Sequence, residues 1–401
     1  MKKQLLHTPE GVRDIYNEEC EKKLLLQSDL LGILKGYGYH PIQTPTFEFF
    51  DIFGKEIGTT PSKELYKFFD REGNTLVLRP DMTPSIARAA AKYFMDEDMP
   101  IRLCYMGNTF INNSSYQGRL KESTQLGAEL IGDSTVDADA EILSMTVECL
   151  QKAGLKDFQL SVGHADFFQG LVEAAGISEE DEEELRELLA NKNFFGVEEF
   201  AETLNLKAEL NELFHMLGSL NVDLNDLKRA KELAASYPRI LAAIHNLEEL
   251  HKVLEVYGIQ KYISFELGII SSYQYYTGII FSGYTFGSGE PIVKGGRYDR
   301  LLTYYGKTSA SIGFAIVIDQ LMAALSRQKI NISIETNGEL IVYTKANQAK
   351  AILSAKEKRA AGTPVETILK DDTKKTKITK TMQSVIVSEQ LLLWRIRKWK
   401  I

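Results

Sequence analysis

A long helical stretch with strand-rich sequence on both sides is the feature that most constrains how this chain can fold. From Ser178 to about residue 258 the apolar residues follow a helical spacing, and almost nothing there favours a strand. The stretch opens with Ser178 and six consecutive acids at 179–184, a pattern typical of a capped helix start, because acids stabilise the positive end of a helix. We therefore predict a helical insertion at about 178–258 between two halves of one sheet.

Strand patterns occur on both sides of this insertion. Before it we predict helix 17–36, strand 75–80, helix 83–93, strands 101–106 and 123–131, helix 136–153 and strand 157–163. Thr83, Pro84 and Ser85 are expected to cap helix 83–93. After the insertion we predict strands 262–270, 275–286 and 291–295, a hairpin turn at 287–289, and a segment, 311–326, that ends as an apolar helix.

The chain length indicates more than one domain. Two or three are expected for 401 residues, because domains usually have about 100–200 residues. We place the first at 1–325, with the insertion inside it, and a small α/β unit at 331–401. In the small unit we predict strands 339–343, 364–369 and 384–388, helix 346–361, and a lysine-rich stretch formed by Lys374, Lys375, Lys377 and Lys380.

Charge is distributed unevenly between these two parts. Residues 331–401 contain 14 Lys and Arg against 7 Asp and Glu, a net charge of +7, and the other 330 residues carry −15. A broad nucleic-acid interface needs clustered cations, so an acidic body argues against one. The basic end of the chain leaves room for a small one.

Several other classes of protein are excluded by composition. Apolar residues make up 44% and charged residues 25%, which is ordinary for a soluble globular protein. No apolar run approaches the about 20 residues of a membrane span, and the N-terminal apolar stretch is too short for a signal peptide. Cys20, Cys104 and Cys149 lie far apart without metal-binding spacing. We expect a cytoplasmic protein with reduced thiols, no metal and no cofactor.

Six short motifs follow one another along the first domain. They are TPEG at 8–11, LRPDMT at 78–83, QLGAE at 125–129, YYTG at 275–278, GGRYD at 295–299 and GFA at 313–315. Asp81, Gln125 and Glu129, with nearby tyrosines, supply groups that bind an ammonium and an imidazole together. Each motif alone is weak, because a tyrosine is more often a core aromatic and a glycine pair more often marks a turn or bulge.

As a set, the motifs resemble the class II catalytic domain of histidyl-tRNA synthetase over about four fifths of the chain. The resemblance implies an α+β fold, an antiparallel sheet flanked by helices. It also implies a histidine pocket formed by Asp81, Thr83, Gln125, Glu129, Tyr276 and Tyr298. In that pocket Asp81, Thr83 and Gln125 would hold the α-ammonium. Glu129 would accept an imidazole N–H, and Tyr276 would orient the ring.

Three departures from the synthetase pattern bear on activity. Where the synthetase has arginines that contact ATP and the adenylate, this chain has Ile111, Ser271 and Gln320. Losing one preorganised donor costs roughly 3–4 kcal/mol of transition-state stabilisation, so losing three makes adenylation implausible. Arg119 and Lys121 lie nearby in sequence and are the candidates to replace one of them.

This combination is similar to the family of ATP phosphoribosyltransferase regulatory subunits, synthetase paralogues that lost aminoacylation. The similarity implies no catalytic residues of its own, a partner in the short-form ATP phosphoribosyltransferase catalytic subunit, and histidine as the feedback effector. It also implies a homodimer within a hetero-octamer, and we expect the dimer to use residues 38–48. Because Ser271 cannot replace a guanidinium, the histidine site is either this pocket or one at a subunit interface.

Two alternatives stay open at this point: an active histidyl-tRNA synthetase, and an RNA-binding paralogue that uses the basic end of the chain. That end, LLLWRIRKWK at 391–400, does not match the shortened anticodon-binding-like unit that we expect there. A partly ordered tail, or a helix that contacts a membrane surface or a partner, would account for it.

Overall fold

The computed structural model describes residues 6–54, 60–113, 119–204, 206–270, 275–334 and 338–369, and the backbone of 385–388 and 391–395. The chain divides into two compact units. The first is formed by Met1–Asp14 and Lys23–Asn331, and the second by Ile15–Lys22 and Ile332–Ile401.

The helices of the described residues are α1 (Asn17–Gly36), α2 (Thr83–Tyr93), α3 (Val136–Lys152), α4 (Ala165–Ala175), α5 (Glu179–Ala190), α6 (Phe194–Thr203), α7 (Ala208–His215), α8 (Leu224–Leu233), α9 (Pro238–Tyr257), α10 (Ile318–Arg327) and α11 (Gln348–Ala360). The strands are β1 (His40–Pro41), β2 (Phe47–Phe49), β3 (Lys67–Phe69), β4 (Thr75–Leu78), β5 (Ile101–Phe110), β6 (Glu122–Ile131), β7 (Phe158–His164), β8 (Ile263–Phe265), β9 (Ile279–Thr285), β10 (Val293–Arg297), β11 (Ser311–Val317), β12 (Glu339–Tyr343), β13 (Val365–Leu369), β14 (Val385–Ser388) and β15 (Leu391–Arg395).

The first unit is built on a sheet whose described strands have the order β1-β5-β6-β11-β10-β9-β7-β8. The six inner strands are antiparallel to their neighbours, and the short edge strands β1 and β8 pair in parallel. The predicted α+β class, an antiparallel sheet flanked by helices, is confirmed. The parallel edges are an addition that the sequence pattern did not indicate.

Helices cover both faces of this sheet. On one face α2 places Met82 and Ile86 in a buried cluster with Leu103, Tyr105 and Tyr298. On the other face α3 packs against β6 and β11, and the middle of α3 is almost entirely buried. The ten-residue strands β5 and β6 pair along their whole length between these layers, and together they form the rigid centre of the unit.

The helical insertion lies between β7 and β8, where it carries the chain across a parallel strand pair that no short turn can connect. Ser178 begins α5 as predicted, because its hydroxyl accepts the backbone N–H of Asp181 at 3.2 Å. Leu185 and Leu189 are the buried side of this otherwise acidic helix. The last helix of the segment, α9, packs against α3 and α4.

Two predicted strands are much shorter than their sequence patterns, and a third, expected at 75–80, ends at Leu78. The strand expected at 262–270 ends at Phe265, and a turn follows in which the N–H of Ile269 donates to the carbonyl of Glu266 at 3.2 Å. Gly268 in this turn lies against the backbone of Leu217, where a Cβ would meet the carbonyl oxygen at 2.0 Å. The strand expected at 275–286 begins only at Ile279. Tyr275 and Tyr276 therefore precede the strand, and the ring of Tyr276 lies against Gly296 of the neighbouring strand β10.

The predicted cap of α2 is also wrong in one respect. Pro84 lies in the first turn as expected, but the residue before the helix, Met82, makes no side-chain cap. The hydroxyl of Thr83 donates instead to Glu129 at 2.8 Å. The local sequence predicts that the Thr83 hydroxyl caps the start of α2, but in the structure this hydroxyl donates to the buried carboxylate of Glu129.

In the second unit α11 packs on a sheet with the order β13-β12-β15-β14. Ile341, Ala351, Ala355 and Val365 form its described core. The residues 391–395, expected in a tail or helix, form the strand β15 between β12 and β14. The lysine-rich stretch at 374–380 and residues 396–401 lie outside the described residues.

None of the described helices combines the length and the hydropathy that crossing a lipid bilayer requires.

Candidate functional site

A cavity over the centre of the large sheet contains all six residues of the predicted pocket. Its lining is Asp81, Thr83, Gln125, Glu129, Tyr275, Tyr276, Lys294, Gly295, Tyr298, Gly313, Phe314, Ala315 and Val317. Strand pairing explains why they meet: Glu129 on β6 lies opposite Gly313 on β11, which lies opposite Gly296 on β10. Residues directly opposite one another point to the same face of a sheet, so this row forms a floor for the cavity.

The floor is made of backbone because three glycines leave no room for side chains. A Cβ on Gly313 would lie 1.7 Å from the carboxylate of Glu129, and one on Gly296 would lie 2.7 Å from the ring of Tyr276. A Cβ on Gly127, two residues before Glu129, would meet the carbonyl oxygen of Phe314 at 2.0 Å. The glycines thus let a carboxylate and an aromatic ring lie flat across neighbouring strands.

Glu129 is the most deeply placed ionisable group of the cavity, with 1% of its surface exposed. It accepts hydrogen bonds from the hydroxyl of Thr83 at 2.8 Å and of Tyr298 at 2.5 Å. Burial, and to a smaller extent the nearby charge of Asp81, raises the pKa of Glu129 to about 8 despite these two donors. A group with this pKa exchanges its proton near neutrality, as a ligand-binding acid often does.

Asp81 is a second buried carboxylate in the same cavity, 4% exposed. The backbone N–H of Met82 donates to it at 2.8 Å and the hydroxyl of Tyr275 at 3.4 Å. Burial raises the pKa of Asp81, although the backbone donors and the charge of Lys294 oppose the shift. Two buried acids in one cavity attract a cationic ligand, because each lacks an ion-pair partner of its own among the described residues.

The polar rim of the cavity is completed by an amide and two phenols. The side-chain oxygen of Gln125 is buried and has no hydrogen-bond partner within the described part of the chain, so it is available to a donor on a ligand. The rings of Tyr275 and Tyr276 lie 4.8 Å apart, and Tyr275 meets Tyr298 edge to face at 5.8 Å. These contacts fix the aromatic wall that faces Glu129.

Three further residues belong to this site that the sequence did not single out. Tyr105 lies opposite Gly127, is fully buried and donates to the carbonyl of Phe314 at 3.3 Å. Tyr275 on its own would be interpreted as a core aromatic, but its hydroxyl donates to the carboxylate of Asp81 at 3.4 Å. Lys294 lies opposite Ala315 in the row beside the glycine floor, and its position directly before the glycine pair was the only sequence signal for it.

Two of the three replaced arginine positions can be placed in the structure. Ile111 follows β5, half-buried, and its N–H donates to the carbonyl of Lys121 at 2.9 Å. Gln320 lies in the first turn of α10. Neither lines the cavity. Ser271 lies outside the described residues.

The two cations suggested as substitutes are engaged elsewhere. Arg119 is exposed and pairs with Glu290 at 2.9 Å. The side chain of Lys121 packs against Gly11, which has a positive φ of 82° and where an added Cβ would lie 2.6 Å from the lysine. Neither is a lining residue of the cavity.

Arg297, in the GGRYD motif, has a structural role. Its guanidinium donates to one oxygen of Asp139 at 2.6 and 2.9 Å and to the carbonyls of Asp133 and Thr135. Both members of this ion pair are buried. The pair joins β10 to α3 and thereby fixes Tyr298, the next residue along the chain.

A larger cavity lies on the other side of Tyr276. It has a volume of about 380 Å³, against about 40 Å³ for the first, and Tyr276 lines both. Four of its five charged lining groups are paired, Arg239 with Asp166 at 2.6 Å and Arg186 with Glu182 at 2.7 Å, and the fifth, Arg300, has no ion pair within the described residues. Size favours this second cavity, but the unpaired amide oxygen and the two buried acids lie in the first, so we place the site there.

No group of three or more potential metal-binding side chains occurs among the residues that the structure describes. The arrangement is therefore one of carboxylates, an amide and phenols around a small cavity, suited to hold a small cationic or zwitterionic molecule.

Comparison with known proteins agrees with the fold and with these motifs. A family model described as histidyl-tRNA synthetase matches residues 11–321. The structure of histidyl-tRNA synthetase from Nostoc sp. PCC 7120 has a TM-score of 0.73 with 20% identity, covering 91% of this chain and 86% of that one, a likeness of fold alone. Fold and motifs together define a class II histidyl-tRNA synthetase-like protein.

Relatives of higher sequence identity show which family within this class the chain belongs to. A solved structure from Bacillus halodurans, described as an ATP phosphoribosyltransferase regulatory subunit/histidyl-tRNA synthetase, has a TM-score of 0.82 with 32% identity and covers 93% of this chain and 95% of its own. A relative from Acetivibrio thermocellus named ATP phosphoribosyltransferase regulatory subunit is 39% identical over 90% of this chain and 86% of its own. One of the same name from Ruminiclostridium cellulolyticum is 38% identical over 92% and 88%. This chain belongs to the family of ATP phosphoribosyltransferase regulatory subunits.

Proposed function

We propose that this chain is a non-catalytic regulatory subunit that activates the short-form catalytic subunit of ATP phosphoribosyltransferase and mediates feedback by histidine. The observation that carries the proposal is a contrast within one domain. The cavity that matches a histidine pocket keeps all six predicted side chains, whereas the three positions of the adenylating arginines hold Ile111, Ser271 and Gln320.

Loss of adenylation follows from electrostatics. The negative charge that develops on a transferring phosphoryl group needs preorganised cations, and each missing donor costs about 3–4 kcal/mol. Arg119 is held by Glu290, and Lys121 packs against Gly11. The chain therefore acts through a partner instead of through a reaction of its own.

Histidine binding depends on the two buried carboxyl groups of the cavity. Asp81 and Glu129 share a buried space, and burial raises the pKa of both. The α-ammonium, held by Asp81, Thr83 and Gln125, supplies the missing positive charge. With this positive charge beside it Glu129 loses its proton to solvent and accepts an imidazole N–H, a charge-assisted contact worth about 1.5–3 kcal/mol, and Tyr276 orients the ring.

Entry of histidine requires the cavity to open, because its volume is only about 40 Å³. Tyr276 separates it from the neighbouring cavity of about 380 Å³ and lines both. A rotation of this ring joins the two, so Tyr276 is the side chain whose position should differ between the empty and the bound states.

The homodimer that this proposal includes uses residues 38–48, which contain β1 and the start of β2. Phe47 is 51% exposed and packs edge to face on Phe68, itself 37% exposed. Exposed aromatic rings grouped on one small sheet are a surface that favours contact with another protein. The catalytic subunits would complete the hetero-octamer at surfaces other than this one.

The decisive experiment combines the purified chain with the short phosphoribosyltransferase from the same genome. We expect co-elution on size exclusion, a faster formation of phosphoribosyl-ATP, and inhibition by histidine that shifts about 5–150-fold with the chain present. Glu129→Gln should abolish histidine sensitivity while complex formation persists. Glu232→Gln, an exposed acid on α8, is the matched control.

Each failure would have a distinct meaning. A mixture without co-elution or change in rate would overturn the proposal, and binding of RNA by the isolated chain would then favour the RNA-binding paralogue. If the complex forms but Glu129→Gln responds to histidine as the unmodified chain does, the effector site lies elsewhere, as at a subunit interface.

A further inference from the structure

Lys294 is a cation of the cavity that none of the predicted roles uses. It lies on β10 opposite Ala315, in the row next to the glycine floor, and lines the same cavity as Asp81 and Glu129. Its side chain is exposed. Within the described residues it makes no hydrogen bond or ion pair, so its ammonium is available to a ligand.

The charges of the cavity show which ligand group this cation would meet. An α-amino acid carries an ammonium, which a buried carboxylate attracts, and a carboxylate, which it repels. The ligand carboxylate therefore needs a cation of its own within the cavity. The synthetase arginine that would provide one is replaced by Ser271, and Ile111 and Gln320 are neutral and do not line the cavity.

The sheet sets the spacing between these groups. Lys294 on β10 and Glu129 on β6 are separated by one intervening strand, β11, and by two residues along the strands, so their backbones lie about 12 Å apart. A lysine stem covers part of this distance, and a ligand with an imidazole at one end and a carboxylate at the other covers the rest.

We propose that Lys294 binds the α-carboxylate of the ligand and makes the site selective for a zwitterionic amino acid over the corresponding amino alcohol. This inference rests on the proposed histidine binding in the same cavity. It assigns to a strand residue a cationic contact that the chain lacks at Ser271.

Isothermal titration of two ligands against two proteins tests the assignment. Histidine carries the carboxylate, and histidinol has an alcohol in its place. For the unmodified chain we expect histidine to bind about tenfold more tightly, which corresponds to about 1.4 kcal/mol. Lys294→Met should weaken histidine about tenfold and leave histidinol within about threefold.

Two further variants separate this role from a structural one. Lys294→Arg should restore the preference for histidine, because the charge is retained. Lys228→Met, which removes an exposed lysine on α8, should change neither ligand. A lysine that only tunes the acids or supports the fold would shift both ligands together.

The outcomes distinguish this inference from the proposed function. If histidine binds, Glu129→Gln weakens it, and Lys294→Met leaves the histidine-to-histidinol ratio unchanged, then the assignment of Lys294 is wrong and the pocket stands. If histidine does not bind, or binds independently of Glu129, the proposed pocket itself fails. If Lys294→Met loses the preference for histidine over histidinol and Lys294→Arg and Lys228→Met keep it, the assignment is supported.

Discussion

Glu129 lies directly opposite Gly313, and its carboxylate fills the space where a Cβ on Gly313 would stand, at 1.7 Å. The same Cβ would meet the carbonyl oxygen of Ala128 at 2.6 Å, and backbone cannot move as a flexible side chain can. The position of Glu129 therefore depends on Gly313, since the carboxylate fits only where β11 has no side chain.

Replacing this glycine should damage both fold and site. We expect Gly313→Ala to lower the free energy of unfolding by about 1–3 kcal/mol, the usual cost of overpacking a core, and to abolish histidine binding. Urea unfolding and calorimetry measure the two effects. Gly289→Ala is the control, because its Cβ would have nothing within 4 Å. Equal stability of the two variants would contradict the model of the floor.

Glu129 should make stability depend on pH. Burial raises its pKa to about 8 in the folded state, and an unfolded glutamate titrates at about 4.3. Between these values the folded state holds a proton that the unfolded state has lost, so this group makes the free energy of unfolding fall as pH rises.

Glu129→Gln removes that contribution. Comparing urea unfolding at pH 5 and pH 8.5, we expect the unmodified chain to lose on the order of 4 kcal/mol relative to the variant. The difference between the two proteins is the quantity to follow, because other groups titrate in the same range. Parallel pH profiles would show that Glu129 is ionised throughout.

The buried pair of Arg297 and Asp139 should be costly to break. Arg297→Met leaves a buried carboxylate without its partner, and we expect a loss of about 3–5 kcal/mol of stability. The double variant with Asp139→Asn should recover part of it. Arg239→Met, which breaks the partly exposed pair with Asp166, should cost less than about 1 kcal/mol. Similar losses in thermal unfolding for both arginines would refute this distinction.

Adenylation should be absent from the purified chain. Histidine-dependent exchange of pyrophosphate into ATP measures it directly, and we expect no exchange above background because three positions lack a cation. A turnover of about 1–10³ s⁻¹, ordinary for an enzyme, would restore the active synthetase as the interpretation.

How far the sequence could predict this fold is shown by two helices and two strands. The bounds of α1 and α2 follow from periodicity and from glycine and proline at their ends, which are local signals. The end of β8 at Phe265 lies beside a close tertiary contact, that of Gly268 with Leu217. The late start of β9 lies beside another, that of Gly278 with Arg297. Contacts of that kind are invisible in a local pattern.

The site shows the same division. The six candidate residues came from a resemblance of motifs, and their role in binding histidine stays a prediction. That Thr83 donates to Glu129 instead of capping α2 follows from burial of a carboxylate far away in sequence. Lys294 was missed because only the pairing of β6, β11 and β10 brings it into the row beside the cavity.

The glycine floor also limits how the site can evolve. Positions 127, 296 and 313 accept no side chain, since each would collide with backbone or with a residue of the cavity. The three glycines of the floor therefore cannot be replaced singly without a steric clash, whereas the positions of the synthetase arginines around it can change one at a time. Under the proposed function, a catalyst built in this way becomes a receptor for its own former substrate through point mutations at the rim, and the recognising surface is inherited intact.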